Sequence, residues 1–142
     1  MIKELDALLL DAHSDIEYIS NLANTAAYLN SVMDDISWVG FYLLDDNELK
    51  LGPFQGKVAC TNIKLGLGVC GTSFQNKEAL VVDDVHTFPT HIACDAGSNS
   101  EIVIPFNKGV LDIDSYCFSR FTLSDKAFLT QVCALLEKKD KR

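Results

Sequence analysis

The first thirty residues carry apolar side chains at steps of mostly three or four positions, which is the spacing of one face of an α-helix. The apolar positions are Leu5, Leu8, Leu9, Ile16, Ile19, Leu22, Ala26 and Leu29. Ser14 and Asp15 interrupt this pattern, and serine is a residue type that caps helix N-termini. The pattern therefore predicts one or two amphipathic helices at the start of the chain.

The segment 38–54 has the composition of a β-hairpin. Residues 38–44 and 49–54 are rich in aromatic and branched side chains, and the turn-forming residues 45–47 separate them. We expect two antiparallel strands here, followed by another short strand over 57–63.

The glycine-spaced run 66–72 is expected to lead into a short helix that reaches about Asn76, with Cys70 near the helix start. Residues 79–82 are expected to form a buried strand. The long connection 83–100 is dense in Asp, His, Pro, Gly and Ser, and a loop of that length in so small a chain is more often functional than accidental.

A second hairpin is predicted from residues 101–105 and 109–114. The chain then closes with a helix over 125–138, for which Ser124 is the expected N-cap. This order of elements predicts one domain over residues 1–142, of the α+β class, with a central, mainly antiparallel sheet and terminal helices packed on one face.

The strand that contains Asp112 and Asp114 carries the first indication of chemistry. Alternation points Leu111 and Ile113 to one face and both aspartates to the other. Glu101, on the neighbouring strand, can converge with them, and three close carboxylates cannot all ionise cheaply, so at least one should have a raised pKa. Such a cluster suits a substrate ammonium group, although a solvated strand face is an equally good interpretation of the segment alone.

Charge and hydropathy exclude several classes of partner. The 142 residues carry twelve basic and twenty acidic side chains, a formal net charge of −8, which disfavours nucleic acid and anionic membrane surfaces. The longest apolar runs fall far short of the roughly 20 residues of a membrane span, and no signal-peptide pattern is present. We therefore expect a cytoplasmic protein.

Three of the five cysteines, Cys60, Cys70 and Cys94, occupy small, polar, turn-rich segments, the setting of reactive thiols. Cys133 lies between apolar helix residues and is expected in the core, whereas Cys117 is ambiguous. An odd number of cysteines in a chain of this size argues against structural disulfides, so that any disulfide should be transient and catalytic.

Cys94 is the expected nucleophile, because it lies in the long loop among residues that stay exposed. A zinc site built from Cys60, Cys70, His91 and Cys94 is the alternative. The long gaps between these residues do not match the paired spacing of structural zinc sites, and no metal is expected.

Four segments together resemble the free methionine-(R)-sulfoxide reductase family, which is built on the GAF fold. They are GPFQGKVAC (52–60), GVCGT (68–72), DVHTFPTHIACDAGSNSEIVIP (84–105) and GVLDIDS (109–115). The resemblance covers about residues 15–136. It departs from the family pattern in the turn after Pro105, where only Phe106, Asn107 and Lys108 precede Gly109.

The resemblance implies reduction of free methionine-(R)-sulfoxide to methionine, with electrons supplied by thioredoxin and without a cofactor. Cys94 would be the catalytic cysteine, Cys60 the resolving cysteine and Cys70 a second or alternative resolving thiol. The positions that would contact the substrate are Trp38, Glu101, Asp112 and Asp114. The resemblance also favours a homodimer.

A different class of function remains open at this point, because the same fold serves as a sensor of small molecules or of redox state without catalysis. A sensor would bind the amino acid without releasing methionine over many cycles.

Overall fold

The computed structural model describes residues 1–91 and 97–142, and within them six strands form one antiparallel sheet. The strands are β1 Trp38–Asp45, β2 Glu48–Gln55, β3 Asn62–Lys64, β4 Leu80–Val82, β5 Ser100–Phe106 and β6 Gly109–Ser115. They lie in the order β3-β2-β1-β6-β5-β4. The two hairpins predicted from the sequence, β1–β2 and β5–β6, therefore meet at the centre of the sheet, where β1 pairs with β6.

Three helices cover one face of this sheet. The helices of the described residues are α1 Ile2–Leu8, α2 Asp15–Val32, α3 Gly68–Asn76 and α4 Leu123–Lys139. Helices α1, α2 and α4 enclose a core that includes Phe41, Leu111 and Leu129, while α3 packs on the opposite face against β5 and β6. The expected α+β architecture with terminal helices on one face is confirmed. None of these helices is long and apolar enough to cross a bilayer.

Strand alternation separates the apolar and acidic side chains of β6, as the sequence predicts. Leu111 and Ile113 are fully buried beneath the helices. Asp112 and Asp114 lie on the other face, where they line a pocket. The same alternation in β1 places Trp38 on this second face. Trp38 of β1 and the aspartates of β6 therefore lie on the same side of the sheet.

The β5–β6 hairpin closes through a turn of two residues, Asn107 and Lys108. Its pairing continues without a shift to the far end, where Glu101 lies opposite Asp114. Asp112 follows two positions along the same face. The short turn therefore leaves the register between the acidic positions of the two strands intact.

Of the two helix N-caps predicted from the sequence, one is correct and one is wrong. The Ser14 hydroxyl accepts a hydrogen bond from the Glu17 N–H at 3.2 Å and caps α2 as expected. Ser124 does not cap α4. Thr122 does so instead: its hydroxyl accepts from the Asp125 N–H at 3.1 Å, and the Asp125 carboxylate accepts from the Thr122 N–H at 2.9 Å. This reciprocal pair satisfies two otherwise unbonded N–H groups and starts the helix earlier.

The strand expected over 57–63 is wrong for most of that range, since β3 pairs with β2 only over its three residues. Side chains of β1 hold the preceding segment instead. The indole N–H of Trp38 donates to the carbonyl oxygen of Lys57 at 3.1 Å. The Tyr42 hydroxyl donates to the carbonyl oxygen of Cys60 at 2.9 Å. Long-range side-chain bonds of this kind leave no periodic signal in the sequence.

A substitution at Gly40 should disturb the packing that fixes Trp38. A Cβ atom at Gly40 would overlap the Cβ of Phe54 and would lie 2.8 Å from Cη2 of Trp38. We expect Gly40→Ala to lower the free energy of unfolding by about 1–3 kcal/mol, as overpacking does. Urea unfolding measures the loss.

Gly52→Ala is the matched control in the neighbouring strand, because its Cβ would lie no closer than 3.1 Å to another atom, the carbonyl oxygen of Phe41. Equal losses for both variants would contradict the packing argument.

Candidate functional site

A pocket opens on the sheet face that the terminal helices leave uncovered. Its walls come from β1, β5 and β6, from the start of α3 and from residues 57–59. The cavity measures about 60 Å³, several times the roughly 10–15 Å³ that one water molecule needs.

Three carboxyl groups lie together in the pocket wall. Glu101 and Asp114 face each other across β5 and β6, and Asp112 follows on the same side of β6. Glu101 is 9% exposed and Asp112 is 5% exposed, whereas Asp114 is half-buried. Among the described residues, Oδ1 of Asp112 has no hydrogen-bond partner. The convergence of these three acidic residues, predicted from strand alternation, is confirmed.

Burial makes this cluster retain protons. Burial raises the pKa of Glu101 well above its usual range, and the Asp112 and Asp114 carboxylates raise it further. Burial also raises the pKa of Asp112, although hydrogen bonds within the cluster oppose that shift. The cluster can therefore both attract a cation and keep a carboxyl proton available for donation.

Cys70 belongs to the same cluster. It is the third residue of α3, is 4% exposed, and its Sγ lies 3.9 Å from Oε2 of Glu101. Burial, followed by repulsion from Asp112, raises the pKa of the Cys70 thiol well above its usual range. This setting differs from the accessible, polar one suggested by the surrounding sequence, because α3 turns Cys70 inward against the sheet.

An aromatic layer forms a second wall of the pocket. The Trp38 ring stacks on Phe54, with centroids 5.2 Å apart, and on Tyr42, with centroids 5.9 Å apart. Because Trp38 and Tyr42 also bond the 57–60 segment through their polar ends, they place Cys60 at a fixed distance from the sheet. Cys60 itself is half-buried and disulfide-bonded.

Cys94, the expected nucleophile, lies outside the described residues. The described residues that flank this part of the loop both reach the pocket: His91 on one side and Ser98 on the other. Ser98 is 6% exposed, and its buried hydroxyl has no hydrogen-bond partner in the part of the chain that the structure describes. Burial, with a contribution from His86, lowers the pKa of His91, so its imidazole is neutral at pH 7.

Sequence reasoning missed Tyr42 and Ser98 as pocket residues. Tyr42 could have been found, since it shares a strand face with Trp38 by simple alternation. Ser98 carried no signal, because loop serines are common and nothing in the sequence indicates that this one is buried.

The zinc arrangement considered from the sequence includes Cys94, which lies outside the described residues, so that alternative stays a prediction. Cys60, another of its four residues, is disulfide-bonded rather than a free thiolate. The remaining described cysteines, Cys70, Cys117 and Cys133, are free. Cys133 is buried in the core as expected, and Cys117 is exposed.

Comparison with known proteins agrees with this architecture. The chain matches the GAF domain family over residues 6–138. It is 53% identical to the free methionine-R-sulfoxide reductase of Escherichia coli (strain K12) over 129 residues, which cover 87% of this chain and 78% of that protein. The reduced form of fRMsr of Staphylococcus aureus superimposes with a TM-score of 0.91 at 48% identity, covering 96% of this chain and 90% of the other.

A free methionine-R-sulfoxide reductase of Neisseria meningitidis, solved in complex with its substrate, superimposes with a TM-score of 0.89 at 41% identity. That match covers 96% of this chain and 84% of the other. The fold and the family match thus define a GAF domain. Within that class, the chain belongs to the free methionine-R-sulfoxide reductase family.

Replacing Glu101 by glutamine should change how stability depends on pH. The raised pKa means that the folded protein keeps a proton that the unfolded chain releases above about pH 4.3. The stabilisation from this group is therefore present below that pH and is lost as the pH rises toward the folded-state pKa. As the pH rises above that value, Glu101→Gln should therefore lose less stability than the wild type.

Urea unfolding at a series of pH values measures this difference. Glu78→Gln, at an exposed position, is the control and should follow the wild-type curve. A Glu101→Gln curve parallel to the wild type would contradict the assigned proton.

Proposed function

We propose that this protein reduces free methionine-(R)-sulfoxide to methionine. The observation that carries the proposal is the buried cluster of Glu101, Asp112 and Asp114 facing the Trp38 wall in one pocket. The family relationship supports it, since relatives that this chain matches over most of its length are named for this reaction.

The acidic cluster supports selection of the free amino acid. A free amino acid carries an ammonium group, which can pair with carboxylates that are otherwise buried without a cation. Methionine sulfoxide within a peptide presents a neutral amide at that position and leaves the carboxylates uncompensated. Peptide-bound substrate should therefore be rejected by electrostatics as well as by the size of the cavity.

Lys57 is suited to the other end of the substrate. It is exposed, lines the pocket on the segment held by Trp38, and its Nζ lies 5.7 Å from the centroid of the Tyr116 ring. An exposed cation at the pocket rim can pair with the substrate carboxylate, and the hydroxyl of Ser98, which has no partner among the described residues, can donate a hydrogen bond to it.

The chemical step assigned to Cys94 is attack of its sulfur on the sulfoxide. The sulfoxide oxygen passes to Cys94, which becomes a sulfenic acid, and the substrate sulfur is reduced to the thioether of methionine. A protonated carboxyl of the cluster can donate a proton to the oxygen as its bond to the substrate breaks. The raised pKa of Glu101 makes its carboxyl suited to this role.

Cys60 is the resolving thiol in this proposal. Its thiol condenses with the Cys94 sulfenic acid, which forms a disulfide and releases water, and thioredoxin then reduces the disulfide by thiol exchange. The disulfide-bonded state of Cys60 supports this order. The burial and raised pKa of Cys70 weigh against Cys70 in that role, because the thiolate is the reactive form.

We infer a reducing, cytoplasmic setting for this chemistry, because thioredoxin keeps thiols reduced there. The homodimer implied by the family resemblance stays a prediction, which a mass measurement in solution tests.

A thioredoxin-coupled assay tests the proposed activity. We expect turnover of the free R-sulfoxide, with little activity toward the S epimer or toward peptide-bound sulfoxide. Cys94→Ser should lower activity by roughly 10³-fold or more, because the nucleophile is lost. Cys117→Ser, at an exposed thiol outside the pocket, is the control and should retain activity.

Equal activity of wild type and Cys94→Ser would overturn the assignment of the nucleophile. Binding of methionine sulfoxide without release of methionine over many cycles would instead indicate a sensor.

Single-turnover measurements separate the roles of Cys60 and Cys70. Cys60→Ser should still produce about one methionine per protein when no reductant is added, because sulfenic acid formation needs only Cys94. It should lose thioredoxin-supported turnover. Cys70→Ser should keep that turnover with an altered KM, because its side chain lies in the carboxylate cluster. The reverse pattern would make Cys70 the resolving thiol.

A further inference from the structure

We propose that Cys70, Glu101 and Asp112 form a binding site for a borderline-soft divalent cation of the Zn²⁺ class, which excludes an amino acid from the pocket when it binds. The cation site itself is independent of the proposed reductase activity, and only its inhibitory consequence rests on that function.

The three side chains are close enough to share one ion. One ligand atom from each of them lies within 4.8 Å of the others, and Cys70 Sγ is 3.9 Å from Oε2 of Glu101. Zinc binds sulfur at about 2.3 Å and carboxylate oxygen at about 2.0–2.2 Å, so ligand atoms around one ion lie roughly 3.3–3.7 Å apart. Small side-chain rotations would bring the present cluster to that geometry.

The donor types favour a thiophilic ion over Mg²⁺ or Ca²⁺. One thiolate with two carboxylates is a mixed sulfur and oxygen set, whereas Mg²⁺ and Ca²⁺ prefer oxygen alone. The cluster keeps its protons because burial and mutual repulsion disfavour the charged forms. A divalent cation would reverse that preference by compensating the thiolate and the carboxylates together.

Unpartnered polar atoms in the pocket point independently to a ligand. The hydroxyl of Ser98 lies outside the acidic cluster and is buried, and neither it nor Oδ1 of Asp112 has a hydrogen-bond partner within residues 1–91 and 97–142. Both residues line the cavity, as does the neutral imidazole of His91. The cavity has room for an ion with a bound water, and a water held by the ion could donate to Ser98.

This site differs from the zinc arrangement of Cys60, Cys70, His91 and Cys94 that the sequence spacing argues against. Its ligands come from α3, β5 and β6, which are distant along the chain and meet only through the packing of α3 on the sheet. It needs neither Cys60 nor Cys94, so it can be examined with both of those thiols removed.

Cadmium binding to a Cys60→Ser/Cys94→Ser double variant provides the test. Cd²⁺ serves as the probe because a cadmium–thiolate bond gives an ultraviolet charge-transfer band, and calorimetry with Zn²⁺ gives the stoichiometry and Kd. We expect one ion per chain, a thiolate band, and no comparable binding of Mg²⁺. Adding Cys70→Ser should remove the band and weaken binding by about 10- to 100-fold or more.

Adding Cys117→Ser to the same double variant is the matched control and should leave the band and the Kd unchanged, since that thiol is exposed and lies outside the pocket. Free L-methionine should compete with the metal. No binding, a band that survives Cys70→Ser, or a band lost with Cys117→Ser would each overturn the proposal.

Should Cys70→Ser not fold, Asp112→Asn in the double variant takes its place, and an unchanged Kd there would equally overturn the site. All of these readouts are independent of turnover, so an inactive enzyme that binds the metal would refute the proposed function alone.

Discussion

The pairing of β5 with β6 is the constraint on which the pocket depends. A strand presents alternate side chains to opposite faces, so a slip of one residue would move the acidic groups into the helical core and the aliphatic groups into the pocket. Leu111 and Ile113 are fully buried under the terminal helices, which makes such a slip costly. The apolar face of β6 thereby fixes the position of Asp112 and Asp114 on the other face.

The burial of these carboxyl groups has an energetic cost that the fold itself does not require. Ordinary core packing would place apolar residues where Glu101 and Asp112 lie, and an apolar replacement of a buried polar cluster is often neutral or stabilising. The hydrogen bonding of the cluster is incomplete within the described residues, since Oδ1 of Asp112 has no partner there. A cation in the pocket would compensate these buried groups, so the cost of burying them and the proposed recognition of a cation have the same physical origin.

How well the sequence predicts the structure depends on how far apart along the chain the interacting residues lie. Alternation in β6 and the turn-separated strands of both hairpins are local patterns, and the sequence predicts them correctly. The 57–60 segment could not be predicted in this way, because Trp38 and Tyr42 hold it through bonds that span eighteen or nineteen positions. The inward placement of Cys70 likewise depends on how α3 docks on the sheet, which no short window of sequence records.

The two described cysteines at the pocket show why a thiol's role follows from its surroundings rather than from its sequence motif. Cys60 and Cys70 lie in similar glycine-containing segments. One is half-buried on a loop tied to the aromatic wall and is disulfide-bonded, while the other is buried beside carboxyl groups that suppress its ionisation. Thiol exchange requires a thiolate and room for an attacking sulfur in line with the bond that breaks. The half-buried Cys60 setting suits such exchange better than the buried Cys70 setting, where the raised pKa favours the protonated thiol.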